Sequence, residues 1–211
     1  MKKIFNKIAS RLTAPRKAST YFYVIIPAVI LNLLFSYFNN AILETPLFLD
    51  SIFTAVAAVF LGPAAGVLTG LLTNIGMEFV YGMTGLYWPF AVCNMATGFI
   101  VGTMNKKGYF KNILHMSIAA FLVAFTNAVL GAHIAFLLFR GDSGAGIDSV
   151  VSALLHMGQS MFSAVFWARI PANLADKLIT ILTAYSIKKW IFKDNIEFEY
   201  LLTKKIKEVG I

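Results

Sequence analysis

Long apolar runs separated by short polar breaks dominate the chain. Six runs stand out: Tyr21–Asn40, Leu49–Leu61, Ala64–Val80, Tyr87–Met104, Ile113–Phe139 and Pro171–Ile191. A helix crosses a bilayer core with about 20 mostly apolar residues. The pattern therefore predicts an all-α integral membrane protein, a six-transmembrane-helix bundle. An N-terminal amphipathic helix is expected ahead of it. Ile4, Phe5, Ile8 and Leu12 recur there at helical spacing, with Lys3, Lys7 and Arg11 on another face. Such a helix lies in the membrane interface and is drawn to anionic lipid. The tail beyond Ile191 repeats the device with Ile196, Leu201, Leu202 and Ile206 among charges. The chain divides into a basic cytoplasmic segment (1–20), a membrane domain (21–193) and a cytoplasmic tail (194–211).

Composition sharpens this picture. Hydrophobic residues make up 58% of the chain, charged residues 13%, and the mean hydropathy is +0.73. A soluble domain carries about 25% charge, so this chain has too few charges to wet a surface. The net charge is +8, which raises the question of a nucleic-acid partner. The placement of the charges excludes one. All of the 18 Lys and Arg except Arg140, Arg169 and Lys177 fall before run 1, between runs 4 and 5, or in the last residues of run 6 and beyond it. With six crossings these regions share one face, and the positive-inside rule makes it cytoplasmic. Both termini are then cytoplasmic, in a multi-pass protein of a prokaryotic inner or plasma membrane. The first run is long enough to span and lacks a small-x-small cleavage site, so it is read as a retained helix rather than a signal peptide.

Local signals refine the bundle. Gly62-Pro63-Ala64-Ala65-Gly66 predicts a tight turn between helices 2 and 3. Gly66, Gly70, Gly98 and Gly102 have the small-xxx-small spacing that lets helix backbones approach closely. The second run is short if it starts at Asp50, so that helix is expected to begin earlier or to meet the membrane obliquely. Gly141–Arg169 is expected to be a long external connection, helical over Ser149–Phe166 and folded over the mouth of the bundle.

No enzyme motif is present. The chain has no GxxxxGK[ST] and no HExxH, so neither a Walker-type ATPase nor a zinc hydrolase is indicated. His115, His133 and His156 are scattered, which argues against a metal site. Cys93 is alone and reads as a small buried hydrophobe. No cofactor is expected. The chemistry lies in polar groups set within apolar runs: Asn74 and Glu78, then Asn94, then Asn127 and His133, and finally Asn173, Asp176 and Lys177. Groups at such depth face the bundle interior or a wet cavity. They predict a pocket in the outer half of the bundle, with Trp88 and Trp167 as stacking surfaces. A structural reading stands beside each. The asparagines also serve as helix–helix hydrogen bonds, and the tryptophans as interfacial belt residues. His156, Gln159 and Arg169 also read as solvated loop positions. Asp176 and Lys177 point about 100° apart as helix neighbours and are not expected to pair directly.

These residues also carry a resemblance. Leu49-Asp50-Ser51-Ile52-Phe53-Thr54-Ala55, the stretch from Phe60-Leu61-Gly62-Pro63 to Thr73-Asn74, and Pro171-Ala172-Asn173-Leu174-Ala175-Asp176-Lys177-Leu178-Ile179 resemble the substrate-binding S component of energy-coupling factor (ECF) transporters. The similarity covers roughly residues 20–193. It implies a subunit that binds a micronutrient from outside and works with a transmembrane coupling protein and two cytoplasmic ATPases. In that family docking uses small residues on the first helices, often Ala-x-x-x-Ala in helix 1. Here Ala28 is followed four residues later by Asn32. Ala55, Ala58, Ala65 and Gly66 are the alternative coupling surface. The metal-importing branch has a His-bearing N-terminus, and none occurs here. The aromatic and polar mix suits a vitamin, a precursor or a nucleobase-like heterocycle. The same Gly-Pro pattern occurs in membrane sensor modules that partner histidine kinases, and this is the alternative function. Against it, only about 20 residues follow the last crossing, short of a signalling domain.

Overall fold

The computed structural model describes residues 18–111, 113–143 and 146–209, the last of these as backbone alone from residue 192. The amphipathic helix expected over the first 14 residues lies outside the described residues. The described chain holds seven α-helices and no strand. They are α1 Ala18–Phe38, α2 Ile52–Leu61, α3 Pro63–Val80, α4 Ala91–Lys106, α5 Ile113–Phe139, α6 Ile147–His156 and α7 Met161–Val209. A π-helical turn, Asn39–Leu43, extends α1. Two helices, Ala18–Leu43 and Ile113–Phe139, are long and apolar enough to cross a membrane by length and composition.

The exterior differs from that of a soluble protein, and polar groups are set within the core. Phe22, Tyr23, Phe79, Phe99, Phe121 and Leu137 are each more than half exposed, whereas Asn32, Thr54, Thr73, Asn94 and Thr97 are buried. A surface of large apolar side chains around a core that mixes small apolar residues with buried polar groups suits lipid as the solvent. One polar node ties three helices together. Asn32 Nδ2 on α1 donates to Thr54 Oγ1 on α2 at 3.0 Å and to Thr73 Oγ1 on α3 at 3.1 Å. Its Oδ1 accepts from the Phe53 N–H at 2.8 Å.

The backbones of α3 and α4 touch. A Cβ on Gly66 would lie 2.7 Å from Gly98 Cα, and one on Gly70 would lie 2.6 Å from the Asn94 carbonyl carbon. One on Gly102 would lie 2.5 Å from Pro63 Cα. The close approach expected at these four glycines is present, and only hydrogen in place of a side chain permits it. The turn between α2 and α3 uses Gly62 at φ 95°, with Pro63 as the first residue of α3. That φ suits glycine, and proline at the first position gives up a donor that the helix leaves unpaired anyway.

Three sequence expectations need correction. First, α2 begins at Ile52, later than the expected start, and spans 10 residues. That is about 15 Å of helix against a hydrocarbon core of about 30 Å. Residues 44–51 complete the segment in non-helical form. Buried non-helical backbone needs partners for its polar groups, and this segment finds them in side chains. Asn39 Nδ2 donates to the carbonyls of Thr45 at 3.2 Å and Leu47 at 2.7 Å. Asn94 Nδ2 donates to the Asp50 carbonyl at 3.0 Å, and the Leu49 N–H donates to Asp176 Oδ1 at 2.8 Å. Leu49 has φ 51°, a left-handed conformation that costs an L-residue about 1–2 kcal/mol.

Second, the helix expected over Ser149–Phe166 is two helices. It breaks at Met157–Ser160, with Gly158 at φ 85°. Third, the last helix starts at Met161, ten residues before Pro171, and continues through the expected tail to Val209. Residues 161–169 therefore belong to a membrane-domain helix and not to a surface loop.

Candidate functional site

A cavity opens in the half of the bundle that carries the 44–51 and 81–90 connections and Ser143. Lys106, Lys107 and Lys188 mark the opposite end, where Lys188 Nζ ties α7 to Asn105 Oδ1 of α4 at 2.7 Å. The cavity encloses about 710 Å³, counting open space at its mouth. Its aromatic and apolar wall is Phe48, Met77, Leu86, Tyr87 and Phe90. Its polar wall includes Asn74, Asn94, Asn127, Asn173, Asp50 and Arg169, with Ser36, Asn40, Ser143 and Lys177 completing it.

Five of the ten side chains expected at the site, Asn74, Asn94, Asn127, Asn173 and Lys177, line this cavity. Their bonds show how the helices hold them. Asn74 Nδ2 donates to the Tyr87 carbonyl at 3.0 Å, and Asn94 Nδ2 donates to Asn74 Oδ1 at 3.1 Å. Asn127 Nδ2 donates to Thr97 Oγ1 at 2.8 Å, and Asn173 Nδ2 to the Arg169 carbonyl at 2.9 Å. Asn94 and Asn127 therefore join helices at the cavity wall, Asn74 also pins the 81–90 loop, and Asn173 bonds within α7.

Two more stand one step behind the wall. Glu78 accepts the N–H groups of Tyr87 at 2.9 Å and Trp88 at 3.1 Å, together with that of Gly85. It thereby fixes the loop that presents Leu86 and Tyr87 to the cavity. Tyr87 in turn stacks on Tyr81 with centroids 4.5 Å apart. Asp176 holds Leu49 and pairs with Lys177, Nζ to Oδ2 at 2.6 Å. That pair corrects the expectation that these neighbours do not meet. The 100° between them applies to the Cα–Cβ directions, and the four-carbon Lys177 chain is long enough to bend back. Lys177 Nζ also donates to Ser51 Oγ at 2.6 Å.

The remaining three lie away from the cavity. Trp88 and Trp167 are 59% and 58% exposed and look outward. His133 is exposed, bonded to its own helix at the Val129 carbonyl, and edge-on to Phe162. The four small residues assigned to coupling are also elsewhere than expected. Ala55, Ala58 and Ala65 are at most 1% exposed, and Gly66 packs on Ala58 and Gly98. They face other helices of the same chain and offer no outer surface.

Sequence reasoning missed Arg169 and Asp50. Arg169 is 1% exposed, because it sits two turns inside α7 and not on a loop. Its Nη2 donates to Ser143 Oγ at 2.9 Å, and that hydroxyl donates to Asp148 Oδ1 at 2.8 Å. A buried arginine is a costly group and the strongest available signal for a site. Gly131 gives it room: a Cβ there would lie 3.5 Å from Arg169 Nε. Cys93, expected to be a buried hydrophobe, is part of the cavity wall.

No match to the chain was found among curated proteins or among solved structures. A family model does match, and it gives no support to a sensor module. The match, to the family described as ECF transporter, substrate-specific component, runs over residues 20–187. Taken with the lipid-facing exterior and the polar cavity, it shows that the chain belongs to the substrate-specific components of ECF transporters.

Proposed function

We propose that this chain captures a small micronutrient, of the vitamin, precursor or nucleobase-like heterocycle kind, from outside the cell. In this reading it hands the compound to an ATP-driven importer made with a transmembrane coupling protein and two cytoplasmic ATPases. The chain crosses the cell membrane six times, with α2 and residues 44–51 together serving as one crossing. Both termini are cytoplasmic. The observation that carries the reading is the position of the cavity. It lies at the end of the bundle away from the Lys106, Lys107 and Lys188 cluster, which the positive-inside rule assigns to the cytoplasm. Its mouth then opens outward. The asparagine wall and the Glu78-anchored loop hold a substrate by placed hydrogen bonds within an apolar shell.

The test has two stages. Protein purified from native membranes is denatured, and the released compounds are identified by mass spectrometry. The compound found is then offered to liposomes holding this chain alone, or this chain with its coupling protein and ATPases. Binding by the chain alone and concentrative uptake only with the partners and ATP is the expected result. Concentrative uptake by the isolated chain refutes the reading, and so does the release of no compound.

A further inference from the structure

Four cavity-wall residues each keep one buried side-chain atom without a hydrogen-bond partner: Ser36 Oγ, Asn94 Oδ1, Asn127 Oδ1 and Arg169 Nη1. Buried polar atoms left unpaired are costly and rare. Four on one cavity describe a ligand's complement.

The polarity of three of them is fixed by their neighbours. Asn94 Nδ2 faces two oxygens that can only accept, the Asp50 carbonyl at 3.0 Å and Asn74 Oδ1 at 3.1 Å. Asn74 is itself oriented, because its Nδ2 donates to the Tyr87 carbonyl. Turning the Asn94 amide over would set oxygen against oxygen, so its Oδ1 is the free atom, and it is an acceptor. A similar chain orients Asn127. Thr97 Oγ1 gives its only proton to the Cys93 carbonyl at 3.1 Å, so toward Asn127 it can only accept. Asn127 must present Nδ2 to it, which leaves Oδ1 as a second free acceptor. Arg169 has only donors, and its Nη1 is a free, positively charged one. Its other nitrogen Nη2 is engaged by Ser143, whose hydroxyl stands between the guanidinium and Asp148.

These atoms are close together. Asn127 and Gly131 are one turn apart on α5, about 6 Å along the axis, and Arg169 lies against Gly131. Thr97 links Asn127 to α4, one turn from Asn94. Lys177 adds little free charge, since Asp176 and Ser51 hold its ammonium. The cavity wall thus sets two free acceptors, on Asn94 and Asn127, beside a cationic donor on Arg169.

We infer that the ligand is an acidic heterocycle, with N–H donors on the edge that meets Asn94 and Asn127 and an ionised acid oxygen that meets Arg169. The inference rests on the binding-subunit reading above and deepens it. It selects against cationic compounds and against neutral rings without an acid group.

The experiment is thermal stabilisation and calorimetric titration of the full chain in detergent with matched probes. Orotate carries a carboxylate and N–H donors on one ring, and uracil-6-phosphonate replaces the carboxylate by a phosphonate. Uracil lacks the acid, 1,3-dimethylorotate lacks the donors, and 1-methylnicotinamide is a cation. Orotate or the phosphonate should bind about tenfold or more tightly than uracil and than 1,3-dimethylorotate; the stronger of the two identifies the acid. Arg169→Gln should remove that advantage over uracil. Arg169→Lys, which keeps the charge, should retain part of it and covers a glutamine variant that does not fold. Tighter binding of uracil or 1-methylnicotinamide than of orotate and the phosphonate overturns the inference, and so does binding of no probe. A preference for acid that survives Arg169→Gln overturns it as well. None of these results touches the binding-subunit reading, which stands or falls on the compound released from the natively purified protein.

Discussion

Asp176→Asn removes one charge from the buried ion pair while keeping the size of the side chain. Asp176 and Lys177 are 0% and 2% exposed, with Nζ 2.6 Å from Oδ2. The amide oxygen can still accept from the Leu49 N–H, so the 44–51 segment keeps that anchor. The Lys177 ammonium keeps one hydrogen bond, to the neutral Ser51 hydroxyl. Stranding one member of a buried pair costs about 3–5 kcal/mol. For a chain of this size each kcal/mol moves Tm by about 2–4 °C, so the variant should melt about 6–20 °C below the parent. Lys177→Met should cost a similar amount by stranding Asp176. The double variant removes both charges and should melt above either single variant, because neutral replacement of a whole buried pair is often tolerated. The measurement is heat-induced unfolding of detergent-solubilised protein at neutral pH. A single Asp176→Asn variant within about 2 °C of the parent, or a double variant less stable than both singles, would refute the argument.

Two other outcomes follow from the packing and the charge pattern. Gly98→Ala should severely impair folding, because its Cβ would run into Gly66 backbone, whereas Gly76→Ala meets only the Leu33 side chain at 3.0 Å and should be mild; equal yields of folded protein from both would contradict the backbone seam. In a Cys93→Ala background, Met157→Cys, at a position 79% exposed, should react with an impermeant thiol reagent in intact cells. Lys107→Cys should react only after permeabilisation, and the reverse pattern would invert the proposed topology.

The helical class and the polar half of the cavity were legible because both follow from one rule. An asparagine within an apolar run has nowhere to go but inward, and Asn74, Asn94, Asn127 and Asn173 obey it. The tryptophans do not follow so simply. An aromatic ring near a helix end is equally at home against lipid or against a ligand, and sequence alone gives no rotation angle for the helix. Trp88 and Trp167 turned out; Tyr87, Phe48 and Phe90 turned in. Arg169 was obscured by Pro171. A proline usually opens a helix, yet α7 starts ten residues earlier and carries Pro171 inside it. Asp50 was hidden because the 44–51 connection reads as the start of an apolar helix, while its non-helical path depends on side chains far along the chain, Asn94 and Asp176. Asn32 explains a departure from the family pattern. It occupies the place of a small residue in α1 because it is the knot joining α1, α2 and α3.

The brevity of α2 has a consequence for biogenesis. Ten residues are too few to hold a membrane-spanning orientation by hydropathy when the segment first emerges from the ribosome. Its neighbour α3 follows after a one-glycine turn, and Asn32 on α1 waits for the Thr54 and Thr73 hydroxyls. The insertion machinery should therefore retain α1 until α2 and α3 arrive, and release the three as one hairpin-bearing unit. The order of synthesis then becomes part of how the 44–51 segment reaches its depth, since Asn94 and Asp176, which later hold its backbone, have not yet been made.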